Sequence, residues 1–472
     1  MAVNSTVEQK PSGIFQVVGQ PIIFTVSNQP AVANETRVKF CAEVHIGTSI
    51  PNTANSNDLK GVFKTTPNSA GVGMFDLRNV VENYVKADNM AADGSAYKAI
   101  ATSLTNRHPI HLIDEFSLSD NLGRYMVIQF YVEYLDTDPT SVDYNTVRKF
   151  DGTVQNAGPY FIINGYLKHT DILERAASSP YNDYGYNLER FFLLNSDGEF
   201  LTNAPTTQYA NINDYGTLSL VTNTIDVNNI ILTYYDSTNT FVGSEQVVRN
   251  STNGAWDNPF AAVSKNQILH FGCFPANLRG DGTTTFAALV STIEGGYITI
   301  QARAGFSPMS KQYRININCP NTKGYESIRL CWLNQWGAWD YYTFTKKSSK
   351  SISTQGSTYQ QLGGTWNEST YNPDSFKGGK KSFRVNATEK ISMNTGFVSE
   401  ADNVMFEELI NSPEVYELQP FQTDVANSLL NQYVTPVRLT TSSFTRKTIA
   451  NDRLMQYTFE IEKSNTLRTQ AI

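Results

Sequence analysis

The residues best suited to chemistry are three rings in one short segment, Trp336, Trp339 and Tyr341, within GYESIRLCWLNQWGAWDYYTF (324–344). Such rings can stack on sugars or bases. Ile328, Leu330 and Trp332 alternate toward one face, Gln335-Trp336-Gly337 reads as a turn, and Tyr341 and Thr343 then oppose Tyr342 and Phe344. That pattern predicts a hairpin, in which rings also pack across the strands and close the end of a core. Trp336, at the turn, is expected to be the most exposed of the three, and the trio is the candidate interaction site.

No catalytic set accompanies these rings. Asp114, Glu115 and Asp120 cluster in HLIDEFSLSD, and Asp226, Asp236 and Glu245 lie in or near turns. Glycoside hydrolysis needs two carboxyls held about 5–9.5 Å apart across a cleft, a spacing nothing here dictates. Acidic residues that satisfy turn N–H groups are the ordinary reading. GGTW (363–366) and LRGDGTTT (278–285) lack the G-x-x-x-x-G-K-[ST] order, and neither is read as leading into a helix. Arg279-Gly280-Asp281 is read as a tight turn. No G-x-S-x-G occurs. Of the five His only His108 and His111 are close, and Cys41, Cys273, Cys319 and Cys331 form no C-x₂₋₄-C unit. The cysteines are read as buried free thiols, one disulfide remaining open. The expectation is no enzyme activity, no cofactor and no metal.

The elements that would position these residues are mainly strands. Val38, Phe40, Ala42, Val44 and Ile46 alternate with Arg37, Lys39, Glu43 and His45, and YMVIQFYVEYL (125–135) is more apolar still. FDLRNVVENYV (75–85) places Leu77, Val80, Val81 and Tyr84 on one helical face, with Asp76 as N-cap. Strands recur at 191–195, 217–221, 228–236, 240–248, 297–304, 313–319, 326–334 and 339–345, a spacing that suggests a sandwich. Further strands are read at 382–387, 391–398, 414–419, 434–440 and 454–464, with a helix at 400–411 that Ser399 could cap. The organisation expected is an N-terminal arm (1–13), a β-sandwich with an inserted helix (14–170), a connector (171–190), a second β-sandwich (191–345), a polar loop or linker (346–381), a β-rich domain (382–464) and a C-terminal tail (465–472). Peripheral strands remain an open alternative for the polar stretch. The fold class is mainly β: several antiparallel β-sandwiches with a few short helices.

Composition narrows the function. The chain has 472 residues, 12 % aromatic and only 17 % charged, against about 25 % charged in an average soluble domain. A net charge of −7 supplies no overall basic field, so specific nucleic-acid binding is not expected. No stretch is long and apolar enough for a membrane-spanning helix, and the polar N-terminus does not read as a signal peptide. Synthesis in a cytoplasm is the expectation.

The order of signals in the last 150 residues resembles a family. IRLCWLNQWGAWDYYTF is followed by KKSSKSIS, GGTW, SFRVNATEKISMNTGFVSEADNVMFEELINSPEVYEL and VTPVRLTTSSFTRKTIANDRLMQYTFEIEKSN, and FKTTPNSAGVGMFDLRNVVENYV (63–85) adds an N-terminal phrase. Together these resemble uncharacterised virion structural proteins of tailed bacteriophages, notably marine and Bacteroidetes-infecting ones. The resemblance implies a β-rich part of the tail, baseplate, neck or collar, located in the virion, with no active site. Its implied partners are further copies of itself in a symmetric oligomer and other virion proteins. Many aromatics and few charges agree with protein contacts. A fibre or adhesin module that binds host surface polysaccharide through Trp336, Trp339 and Tyr341 is the alternative.

Overall fold

The computed structural model describes residues 5–11, 13–86, 116–119, 121–150, 154–168, 183–184, 188–192, 195–222, 227, 229–249, 267–279, 285–319, 324–365, 369–420, 434–447, 455–465 and 467–468. His108, His111, Asp114, Glu115, Asp120, Asp226, Gly280 and Asp281 lie outside them, as does most of 171–190. Strand makes up 49 % and helix 10 %, so the chain is mainly β with several sheets and short helices. Two compact units form: residues 1–319 with 333–340 and 420–431, and residues 320–332 with 341–419 and 432–472.

In the first unit, two pairs of sheets each enclose a core. A four-stranded sheet runs Asp183–Tyr184, Thr6–Pro11, Ile23–Ser27, Val72–Asp76. It faces a six-stranded sheet whose main path is Phe15–Val17, Gln155–Ile163, Gly123–Leu135, Thr36–Gly47, Leu59–Thr65. Phe24, Val26 and Phe75 from one layer meet Phe40, Val44, Ile128 and Phe130 from the other. The alternation read at 37–46 is what aims Phe40, Ala42, Val44 and Ile46 into this core. Within the arm expected at 1–13, Thr6–Pro11 is a strand paired with Ile23–Ser27. The helix read at 75–85 is one short α-helix, Arg78–Val81, followed by a 3₁₀ turn, Glu82–Tyr84. Its N-cap is Leu77 without a side-chain cap bond, while Asp76 accepts from the Arg78 N–H at 3.1 Å.

The second pair of sheets comprises a three-stranded one, Thr217–Thr222, Gln267–Gly272, Phe116–Ser119, and a six-stranded one. The main path of the latter is Thr207–Ala210, Tyr313–Ile317, Tyr297–Ala304, Asn229–Tyr235, Phe241–Arg249. Leu218, Leu220 and Phe271 pack against Ile230, Leu232, Ile298 and Ile300. Two expectations fail here. Residues 189–192 form a 3₁₀ turn in place of the start of the strand expected at 191–195. A helix, Thr285–Ile293, does follow the LRGDGTTT loop, with Phe286 set edge-on against Tyr234 at 5.3 Å.

A third core joins the two sandwiches. Phe15, Tyr125, Phe161 and Ile163 use the outer face of the first six-stranded sheet, and Val221 and Ile268 come from the three-stranded one. This shared core explains why the sandwich expected at 14–170 and the part of the second one up to residue 319 belong to one compact unit. The strands expected at 326–334 and 339–345 as the end of the second sandwich instead enter the sheet of the other unit.

The second unit is built on a seven-stranded sheet ordered Trp339–Phe344, Ile328–Leu333, Val415–Leu418, Val434–Leu439, Thr458–Lys463, Gly379–Asn394, Ser349–Gln361. Residues 333–340, the tip of the hairpin formed by its first two strands, group with the first unit. The helix Asp402–Asn411 packs Phe406 against Phe459, ring centroids 5.4 Å apart. Its N-cap is Ala401, but Ser399 donates N–H and Oγ–H to Asp402 Oδ2, both at 2.8 Å. The stretch expected as a loop or linker, 346–381, contains the strand Ser349–Gln361. The strands expected at 382–387 and 391–398 are mostly one strand, Gly379–Asn394, and the tail closes back through a bridge from Leu467 to Ala387. Among the described residues, no helix is long and apolar enough to cross a membrane.

Candidate functional site

The segment 324–344 does form a hairpin, but its rings point inward. Asn334 shapes the turn: its Oδ1 accepts from the N–H groups of Trp336 and Ala338, both at 3.0 Å, and its Nδ2 donates to the Leu201 carbonyl at 2.9 Å. This geometry drives Trp336 into the third core, where it is 2 % exposed and lies 4.6 Å from the Phe191 ring. Its Nε1–H donates to Asn203 Oδ1 at 3.1 Å, so the indole enters a core without losing its polar bond. Trp339 and Tyr341 are buried as well, at 3 % and 5 % exposure. The Arg329 guanidinium stands 5.2 Å from the Tyr341 ring and donates to Thr343 Oγ1 at 2.7 Å. The expected exposure of Trp336 is therefore corrected. None of the three offers a ring face to solvent, and their role is packing.

A different aromatic row does face outward. On the Thr207–Ala210, Tyr313–Ile317, Tyr297–Ala304, Asn229–Tyr235, Phe241–Arg249 sheet, register aligns Tyr209, Asn316, Tyr297, Tyr235 and Phe241 across five adjacent strands. Neighbours Ile315, Ile317, Ile298 and Tyr234 point the other way, into the core, so alternation alone puts the row outside. Tyr235 and Tyr297 stack at 4.6 Å with 13° between planes, and the Arg314 guanidinium lies 3.6 Å over the other face of the pair at Tyr297. Arg314 Nε–H is held by Asn316 Oδ1 at 2.7 Å, and the Tyr297 hydroxyl donates to Asn239 Oδ1. Beside the row lies a cleft of about 450 Å³ lined by Tyr209, Tyr297, Arg314, Asn316, Asn318 and the 236–239 turn. Tyr209 is 61 % exposed, a free ring at its edge. Gly296 is required at its floor, since a Cβ there would meet the Tyr235 carbonyl oxygen at 2.0 Å.

Of the acids read in or near turns, Asp236 behaves as such, while Glu245 lies within the strand Phe241–Arg249 and bonds a side chain instead. Asp236 Oδ1 accepts from the hydroxyl and N–H of Thr238 and the N–H of Thr240. The Thr238 hydroxyl is the main reason its carboxyl is held below the usual value. Glu245 accepts from the buried Tyr234 hydroxyl, whose ionisation is driven well up, chiefly by burial. All four cysteines are free; Cys319 is exposed, against expectation, and the others are buried. Burial, with help from Glu133, pushes the Cys41 thiol up to about 12, and burial raises Cys331 too, so neither is poised as a nucleophile. Among the described residues no group of three or more His, Cys, Asp or Glu side chains is placed to hold a metal ion.

The strongest departure from a self-contained domain lies elsewhere. Ser349–Gln361 and Gly379–Asn394 pair antiparallel from Ser349↔Ser392 to Gln361↔Gly379. Along Gly379–Asn394, Thr458–Lys463 reaches only Lys390–Asn394, and Leu467 bridges only Ala387. Beyond Ala387 the two strands run on as a ribbon with no third strand among the described residues, and Ser349–Gln360 is exposed throughout. Sequence reasoning missed the ribbon because its first strand is a run of Ser, Thr and Gln. It missed the outward row because Tyr235 and Tyr297 were read with their strands and never assigned to a face. No protein-family model matches this sequence, and a search of curated proteins finds no significant match.

Proposed function

We propose that this chain is a non-enzymatic structural subunit of a tailed-phage virion, assembling as a ring or adaptor in the tail, baseplate or neck. The observation that carries the reading is the ribbon. A two-stranded hairpin is marginal in water unless a third strand or a packed face supports it, yet here seven residue pairs extend beyond any such support. An element that adds little to its own fold and exposes large apolar side chains is suited to contact with other subunits. The phrases at both ends of the chain that resemble virion proteins point the same way. Quantitative mass spectrometry of purified particles is expected to find the chain at a copy number set by ring symmetry. A strictly monomeric protein that is absent from particles would sink the reading.

A second reading, recognition of surface polysaccharide, is favoured by the cleft beside Tyr209. An exposed ring next to amides and a guanidinium suits an acidic sugar: the ring stacks on its apolar face and Arg314 meets its carboxylate. Under that reading, Tyr209→Ala and Arg314→Ala each weaken binding to a uronic-acid oligosaccharide by at least about tenfold, with unchanged melting. Trp336→Ala would be no test of it, since that residue is in a core. Calorimetric titration showing equal affinity for parent and variants would reject the site.

A further inference from the structure

We infer that the ribbon is a strap that seats on a second copy of this chain, with its tip and apolar face making the contact; this rests on the assembly reading above. Three observations converge on it: the tip, the face and the charge.

The described parts of the tip are tied together by hydrogen bonds. Thr365 and Asn372 bridge reciprocally at 2.8 and 3.1 Å. Thr365 Oγ1 donates to Asp374 Oδ2 at 2.6 Å, and Lys377 Nζ donates to Thr365 Oγ1 at 2.7 Å. Gly364 sits at φ +69° where a Cβ would lie 2.4 Å from the Asn372 carbonyl oxygen. On this framework Leu362, Tyr371 and Phe376 stand out at 67, 61 and 70 % exposure. Holding large apolar groups outward on such a framework costs stability in isolation, but it lowers the ordering penalty when they dock.

The face is continuous with a buried one. Ile391 and Met393 are fully buried in the second unit. Counting by twos from Ile391 brings Glu389, Ala387 and Val385 to the same face, and the register adds Ile352 opposite Glu389. Ile352 and Val385 are 64 and 46 % exposed. The opposite face carries Lys390, Thr388, Asn386 and Arg384 against serines and Gln355. The ribbon is thus one-sided: Ile352 and Val385 stand exposed on one face, while Glu389 at its base is covered by Lys463 at 3.6 Å.

The charge identifies the occupant. The ribbon beyond its supported base, residues 355–386, holds four Lys or Arg and two Asp or Glu, a net +2, in a chain of net −7, so the remainder is −9. A basic strap on an acidic body is complementary to further copies of itself, and complementary charge steers and registers such contacts. Strap and receiving surface are different parts of the molecule, so the contact is head-to-tail and closes into a ring when the rotation permits.

The test uses the purified full-length protein, with light scattering and native mass spectrometry across concentration and salt. The parent is expected to oligomerise and to dissociate as salt rises. A tip variant, Leu362→Ser with Tyr371→Ser and Phe376→Ser, should weaken association at least about tenfold. So should Lys380→Glu with Lys381→Glu. Both should melt as the parent does, because none of these side chains is in a core. Oligomers that persist in both variants would overturn the strap while leaving the assembly reading intact. A parent that is monomeric at all concentrations overturns the strap, and particle composition then decides the assembly reading separately. Retardation of DNA that Lys380→Glu/Lys381→Glu abolishes, without any effect on association, would overturn it in favour of a nucleic-acid role.

Discussion

Trp336→Ala is expected to destabilise the first unit by about 3–5 kcal/mol, the cost of removing a large ring from a packed core. The indole touches Phe191 and shares its cluster with Phe15, Phe161, Leu167 and Leu201. Truncation opens a cavity where the two sandwiches meet and also strips Asn203 Oδ1 of its indole donor. Trp336→Phe keeps most of the contacts and loses the hydrogen bond, so a smaller loss of about 1–2 kcal/mol is expected. Because the chain holds two units, the effect is read as a shift in one calorimetric transition while the other stays in place. A Trp336→Ala protein with both transitions unmoved would mean that this ring is not in the core.

The second large effect belongs to the neighbouring residue. Gly337 has φ +73°, a left-handed conformation that costs other L-residues about 1–2 kcal/mol. A Cβ there would lie 1.9 Å from the Asn164 carbonyl oxygen and 2.9 Å from Leu122 Cδ1. Backbone cannot yield as a flexible side chain does, so Gly337→Ala must displace either the turn or the Asn164 strand end. Overpacking of this kind adds about 1–3 kcal/mol. The variant is expected to melt earlier in the same transition as Trp336→Ala. Gly305→Ala is the control: its φ is +62°, but no atom lies within 4 Å of the added methyl, so only the conformational cost remains. Equal melting of the Gly337 and Gly305 variants would refute the steric argument.

Amphipathic strands were legible because one buried face forces a period of two. Arg37–Ile46 emerged as Thr36–Gly47, and YITIQARA is a strand over the same residues, Tyr297–Ala304. Two kinds of element escaped. Thr6–Pro11 is held by backbone pairing with Ile23–Ser27, which leaves little apolar signature in a polar segment. Ser349–Gln361 has no buried face at all, so no alternation marks it. The candidate site was misplaced for a related reason. A tryptophan in a turn is exposed as far as its sequence neighbours go. Its burial comes from Phe191 and Leu167, which lie more than a hundred residues away, in a core formed between sandwiches. The outward row of Tyr209, Tyr297 and Tyr235 was accessible in principle, since strand parity separates them from Ile298 and Tyr234, but only the register shows that they align.

The hairpin tip has a consequence for how the chain is made. Residues 333–340 belong to a unit most of which lies in residues 1–319. A ribosome that has released the first 319 residues has therefore delivered nearly all of that unit without Trp336, Ala338 or the hydrogen bond from Asn334 to Leu201. Both sandwiches can condense around their own cores by then, but the core that joins them stays open. Its apolar walls wait for a plug that arrives only with the strands of the next unit. Maturation of the N-terminal unit is thereby timed to synthesis of the second unit's first hairpin, and a chain stopped early carries an unfilled, adhesive seam.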